Sequence, residues 1–272
     1  MTLSIITINY NNLEGLRRTI NSVISQTWHD FEWIIIDGGS TDGSKELIEE
    51  TSNKLASSDF NPLSYWCSEP DKGIYNAMNK GIKHCKGDYI NCMNSGDYFT
   101  NDDVLKIIFS TKIYGDIVYG NWYQQYAKTK VLKEIPRSML FSRFPYENIC
   151  HQAIFCKSTI LKSRGFDEDI LHADWKRWTE ELLSGKNFQH IPIAICVYDM
   201  SGITGKKSEE LFLRERNIIL SIYANRILLY HEDYYISNCI HLLIHKNKFP
   251  KFMLRLTIKF LSFFFNTKNL IK

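Results

Sequence analysis

Nowhere in the 272 residues does an apolar run reach the roughly 20 positions that a bilayer-crossing helix needs, so no membrane span is predicted. The N-terminus lacks the charged and apolar regions of a signal peptide, and strand-like residues begin within three positions of Met1. C-x-x-C pairs are missing too. The seven cysteines (Cys67, Cys85, Cys92, Cys150, Cys156, Cys196 and Cys239) are odd in number and sit mostly among apolar neighbours. That pattern indicates neither a disulfide frame nor a zinc site and fits small buried side chains in a reducing compartment. No G-x-G-x-x-G follows the first strand-like segment, and no G-x-x-x-x-G-K-[ST] is present. A dinucleotide oxidoreductase and a P-loop enzyme are therefore disfavoured. His241 and His245 lie four apart but belong to no H-E-x-x-H, and read as a polar stripe on a helix. The net charge of +3 is too small to imply nucleic-acid binding. A cytoplasmic protein is the expectation.

A hydrophobic fraction of 44% and a charged fraction of 23% are those of an ordinary folded chain. Leu3 to Asn9 is short, apolar and β-branched, like a buried parallel strand. Asn11 stands three residues before Glu14, the spacing of a capping box, and Leu16, Ile20, Val23 and Ile24 give the following helix an apolar face. Strands are predicted at Phe31 to Asp37, Leu63 to Cys67, Asp88 to Met93 and Asp116 to Gly120. Helices are predicted at Ser44 to Leu55 and Gly73 to Cys85, and one capped by Thr100 or Asn101. This alternation predicts a mostly parallel sheet flanked by helices, with ligands at the carboxyl ends of its strands. Further on, strands are expected at Ala153 to Cys156 and Ala194 to Tyr198, with a helix over Asp174 to Leu183. From Ser208 the chain reads as helical, which divides it into a domain at 1–205 and a helical extension at 206–272.

Strand ends single out Asn9, Asp37 and the segment Asn94-Ser95-Gly96-Asp97. Asp37 opens Asp-Gly-Gly-Ser-Thr-Asp-Gly-Ser. A carboxylate there can accept from a nucleobase or ribose, and the glycines, Gly39 among them, allow backbone to approach a ligand. The alternative is a plain turn with Asp42 as helix cap. Asp97 suits a divalent cation held by few protein carboxylates and by phosphate oxygens, or it is a turn residue bonded to local backbone. Asp174 is ionised at neutral pH and available as a base, although a helix N-terminal role is the simpler reading of its position. Asp71 and Lys72 can face a ribose and a phosphate, or solvent. His151 precedes a strand and can line a phosphate or acceptor site, or be structural.

In their order these segments resemble the family-2 glycosyltransferases of the GT-A fold, over roughly Thr2 to Thr204. The segments are Ser4 to Asn11, Ile-Asp-Gly-Gly-Ser-Thr-Asp-Gly, Glu-Pro-Asp-Lys-Gly-Ile-Tyr, Asn-Ser-Gly-Asp, His-Gln, and Gly165-Phe166-Asp167-Glu168 with Asp174 downstream. The resemblance implies an inverting transfer from a nucleotide-diphosphate sugar, UDP being the commonest base, to a saccharide or lipid-linked acceptor in bacterial surface-polysaccharide biosynthesis. It implies Asp174 as general base and Asp97 as ligand of Mg²⁺ or Mn²⁺. Asn9, Asp37, Gly39, Asp71, Lys72, Ser95, Gly96 and His151 would line the donor. Two departures stand out: Asn94 and Gly96 leave Asp97 without the usual second carboxylate, and Ala173 precedes Asp174 where Glu is common.

After Asp233 every charged residue is basic, and between Lys248 and Asn266 the polar positions recur every three or four. Such a cationic, Phe-rich amphipathic helix suits an anionic membrane surface, which would place the protein on the inner face of the plasma membrane. The alternative is packing on protein. Two rival functions are a nucleotidyltransferase, whose basic Gly-rich loop is absent after the first strand, and a catalytically inactive scaffold.

Overall fold

The computed structural model describes residues 2–127, 129–135, 149–200, 211 and 214–222. Strand β1 (Leu3–Asn9) and strand β2 (Phe31–Asp37) are interior strands, β1 buried along its whole length and β2 at all but one position. Their unbroken apolar runs are what a strand covered on both faces requires. Around them lie β3 (Leu63–Ser68) and β4 (Tyr89–Cys92), and the four pair in parallel in the order β3-β2-β1-β4. Three helices return the chain between these strands: α1 (Leu13–Ile24), α2 (Ser44–Ala56) and α3 (Ile74–His84). Helix α3 packs on β1 and β2, and α2 on β2 and β3.

The second half of the sheet is mixed. It comprises β5 (Tyr98–Phe99), β6 (Ile117–Tyr126), β7 (Thr129–Lys133), β8 (Ile154–Lys157) and β9 (Phe188–Asp199). Sheet order continues β4-β8-β6-β9-β5, with β7 paired to β6 as a hairpin. Strand β8 runs antiparallel to both β4 and β6, whereas β6 and β9 are parallel. Helices α4 (Val104–Ser110), α5 (Ser158–Ser163) and α6 (Ala173–Leu183) follow, with a 3-10 turn at His151–Ala153. The expected α/β sheet with flanking helices is the observed fold. The largest fully buried side chains include Trp33, Trp175, Trp178, Tyr119 and Phe155.

Several local expectations shift. Asn12, not Asn11, caps α1, accepting from the Gly15 amide at 3.2 Å. Asn11 instead adopts φ +45°, tolerable for Asn, and accepts from the Thr41 amide at 2.8 Å. The cap position of α2 belongs to Gly43. Asp42, one residue earlier, accepts from the amides of Leu13 and Ser44 and so ties the starts of both helices together. Asp103 precedes α4, and Asn101 accepts from its amide in the turn before. Ala153 closes the 3-10 turn instead of opening a strand.

The compact unit that holds the sheet runs Met1–Ile222, and residues 214–222 are helical within it. The basic amphipathic segment 248–266 lies outside the described residues, as does most of 206–272. Among the described residues no helix is long and apolar enough to cross a membrane.

Candidate functional site

Parallel pairing in register sets Asn9 beside Asp37 and Asp37 beside Ser68, at the carboxyl ends of β1, β2 and β3. Asp37 is completely buried, and both of its oxygens are engaged. Oδ1 accepts from Asn9 Nδ2 (2.7 Å) and Ser40 Oγ (2.6 Å), while Oδ2 accepts from the Ser40 amide (2.9 Å) and Ser68 Oγ (2.6 Å). Burial pushes this carboxyl up, but the hydrogen bonds from Ser40, Ser68 and Asn9 prevail and hold it below its ordinary value. Asn9 Oδ1 is left buried without a protein donor.

Beside this cluster the chain comes close to itself. A β-carbon on Gly38 would stand 2.6 Å from Asp71 Oδ2 and 3.1 Å from the ring of Tyr10, which is 60% exposed. Asp71 Oδ1 accepts from the Gly73 amide at 2.8 Å, and Lys72 is exposed next to it. Gly39 sits at φ +80° against Pro70.

The turn after β4 is fastened to the first helix. Asn12 Nδ2 donates to the Ser95 carbonyl (3.1 Å), and Thr19 Oγ1 donates to the Asp97 carbonyl (2.6 Å). Gly96 holds φ +104°, a conformation that glycine takes without strain. Asp97 is 4% exposed. Its Oδ1 accepts from the Asp199 amide at 2.9 Å, and its Oδ2 accepts from Gln152 Nε2. Burial dominates and pushes this carboxyl up to about 7, the two hydrogen bonds and nearby His151 only partly opposing it. Asp199 in turn pairs with Arg18 of α1 at 2.8 Å.

Asp174 lies in the first turn of α6, 7% exposed. Its Oδ1 accepts from Tyr75 Oη (2.9 Å) and the Trp175 amide (2.8 Å), and its Oδ2 lies 2.9 Å from His151 Nδ1. Burial raises this carboxyl, yet the His151, Tyr75 and Trp175 contacts outweigh it and hold it below the usual range. Burial and the charge of Asp174 drive the Tyr75 hydroxyl well above its ordinary value, so it stays a donor. Glu215, from the helical segment 214–222, accepts from the Leu171 and His172 amides at 2.9 and 3.1 Å, just ahead of Asp174.

The sequence-predicted residues thus fall along one edge of the sheet, joined by hydrogen bonds. From Asp37 the string passes through Ser40 to Asn11, and from the neighbouring Asn12 to Ser95 and Asp97. Gln152 continues it from Asp97, and His151 reaches Asp174. Adjacent residues of one 3-10 turn therefore hold the two carboxylates. Gly39, Asp71 and Lys72 are not part of the string. Gln152 and Tyr75 belonged to motifs noticed in the sequence, although neither was picked out as a site residue. Asp199 and Glu215 carried no local signal, since only the fold brings them near.

A cluster of three or more His, Cys, Asp or Glu able to hold a metal is not found among the described residues. For a cation the edge offers Asp97, a carboxylate raised by its burial, with the Gln152 and Asp199 hydrogen bonds and nearby His151 opposing that only in part. Such a lone oxygen ligand fits Mg²⁺ or Mn²⁺ only where phosphate oxygens supply most of the coordination.

A sheet of this order, with acids at its carboxyl edge, defines the GT-A class of glycosyltransferase fold. The family model for glycosyl transferase family 2 matches residues 4–170, more than half of the chain, and the chain belongs to that family. An uncharacterized glycosyltransferase of Mycobacterium tuberculosis (strain CDC 1551 / Oshkosh) is 42% identical over 105 residues, 38% of this chain. That match spans only 37% of the relative's own length. The UDP-Glc:alpha-D-GlcNAc-diphosphoundecaprenol beta-1,3-glucosyltransferase WfaP of Escherichia coli is 26% identical over 228 residues, covering 81% of this chain and 86% of that one. Among solved structures, S. aureus TarS 1-349 in complex with UDP-GlcNAc aligns with a TM-score of 0.61 at 17% identity, over 81% of this chain and 66% of that one. The mannosyltransferase PcManGT from Pyrobaculum calidifontis, in complex with GDP-Man and Mn²⁺, aligns at 0.62 and 14%, over 96% and 80%. At these identities the two structures establish shared fold.

Proposed function

We propose that the protein is an inverting glycosyltransferase that moves a sugar from a nucleotide-diphosphate donor, UDP first, to a saccharide or lipid-linked acceptor in surface-polysaccharide assembly. The observation that carries this reading is the link between Asp97 and Asp174 through neighbouring residues Gln152 and His151. Adjacent residues of one 3-10 turn thus contact both the carboxylate read as phosphate-side and the one read as base. The E. coli relative, whose name gives a UDP-Glc donor and a GlcNAc-diphosphoundecaprenol acceptor, supports the donor and the acceptor class.

In this reading Asn9, Asp37, Gly39 and Asp71 line the nucleoside side of the donor, and Lys72 faces its phosphates. Ser95, Gly96 and Asp97 lie at its diphosphate. Asp97 would hold a divalent cation, whose contribution when bound is to neutralise charge on the leaving diphosphate. Asp174 accepts the proton of the acceptor hydroxyl, whose oxygen attacks the anomeric carbon opposite the nucleotide. The C–O bond to the diphosphate breaks, the configuration inverts, and no covalent enzyme intermediate is required. The depressed Asp174 carboxyl keeps the base ionised at neutral pH.

The test is nucleotide release and product formation by wild type and Asp174→Asn with UDP-Glc and GlcNAc-diphosphoundecaprenol, alongside other donors. Asp174→Asn is expected to lose transfer by about 1,000-fold or more while donor binding persists. Full transfer by this variant would remove Asp174 from the mechanism.

A further inference from the structure

His151, assigned to the donor by resemblance, is placed by its contacts at the base instead. Its side chain is 14% exposed, and both ring nitrogens are engaged. Nδ1 is 2.9 Å from Asp174 Oδ2, and Nε2 is 2.9 Å from Asn94 Nδ2. An ionised carboxylate only accepts, so Nδ1 carries the ring proton. Nε2 then presents a lone pair, to which the Asn94 amide donates. The same orientation leaves Asn94 Oδ1 buried without a protein donor.

The two oxygens of Asp174 are not equivalent. Oδ1 is saturated by Tyr75 and the Trp175 amide. Oδ2 meets His151 alone among the described contacts, which leaves it a lone pair for an acceptor hydroxyl. The oxygen able to act as base is therefore the one that the imidazole holds. Through Asn94 the same ring is braced against the turn that carries Asp97.

We propose that His151 is a positioning residue: it aims Asp174 Oδ2 and fixes it relative to the Asn94–Asp97 turn, so that base and donor keep a constant spacing. The proposal rests on Asp174 being the base, as read above.

Nucleotide release from UDP-Glc, UDP-GlcNAc and GDP-Man, with water or GlcNAc-diphosphoundecaprenol as acceptor, gives kcat and donor KM for the donor turned over fastest. His151→Ala should lower kcat about 100-fold, the cost of a misdirected group, with donor KM within about threefold of wild type. His151→Asn returns an amide N–H near the Nδ1 position and should recover about tenfold of that loss. A raised donor KM with kcat intact would make His151 a donor ligand and overturn the proposal. So would wild-type kcat in His151→Ala, or no recovery in His151→Asn. Either result leaves the base assignment standing if Asp174→Asn is inactive. An active Asp174→Asn, or a wild type that releases no nucleotide, overturns both.

Discussion

Replacing Asp97 by Asn should make the metal-free protein more stable, and increasingly so as the pH rises. The carboxyl is pushed up to about 7 in the folded chain from its ordinary 3.8. Between those values the folded protein retains a proton that the unfolded chain gives up. Stability therefore falls as pH climbs through that interval and levels off above the folded value. Each unit is worth about 1.4 kcal/mol, so the two units from pH 5 to pH 7 amount to on the order of 3 kcal/mol. Asn has no such dependence. It keeps a carbonyl oxygen for the Asp199 amide, and its new N–H₂ can be met if the Gln152 amide turns over. Relative to wild type, the variant's advantage in EDTA should widen by on the order of 3 kcal/mol between pH 5 and pH 8. For a domain of this size that is a widening of about 5–10 °C in Tm. Thermal melts followed by circular dichroism at four pH values would measure it, each compared with wild type so that other titrating groups cancel. A gap that stays constant or narrows toward pH 8 would refute the burial argument. The same variant should lose transfer, so stability and activity would move in opposite directions.

Tyr75→Phe removes one of the donors that depress Asp174, so the acid limb of the pH–rate profile should move upward and kcat fall about tenfold, read from initial rates across pH. Gly38→Ala places a methyl 2.6 Å from Asp71 Oδ2. Because the carboxylate can swing away, stability should change by less than about 1 kcal/mol while donor KM rises, checked by denaturant titration beside steady-state kinetics. Glu215→Ala releases the Leu171 and His172 amides and should cost about 1–3 kcal/mol in a denaturant titration. Unchanged stability would mean that the clamp contributes nothing in solution.

The first half of the fold could be read because its signals are local. Leu3–Asn9 and Phe31–Asp37 are apolar runs with a single solution, and the helices between them carry their own apolar faces. The second half was harder. Strand β5 has two residues and α5 has six, too short for any period to register. β7, Thr-Lys-Val-Leu-Lys, is exposed at every position and exists because β6 pairs with it. Polar side chains misled in a different way. Asn11 and Asp42 have good capping chemistry, but each bonds across to the neighbouring strand–helix loop. Candidate site residues at strand ends were visible because a parallel sheet always gathers its carboxyl ends. The contact of His151 with Asp174 was not, because it needs the antiparallel return of β8 between β4 and β6.

The clamp by Glu215 changes what counts as the smallest working piece of this protein. The stretch that matches the family stops at residue 170, ahead of Asp174, and Glu215 lies further still. A fragment trimmed to the recognisable family segment would keep Asn9, Asp37 and Asp97 and forfeit both Asp174 and the Glu215 contacts just ahead of it. Grafts between relatives should therefore carry the chain through Ile222, where the compact unit ends.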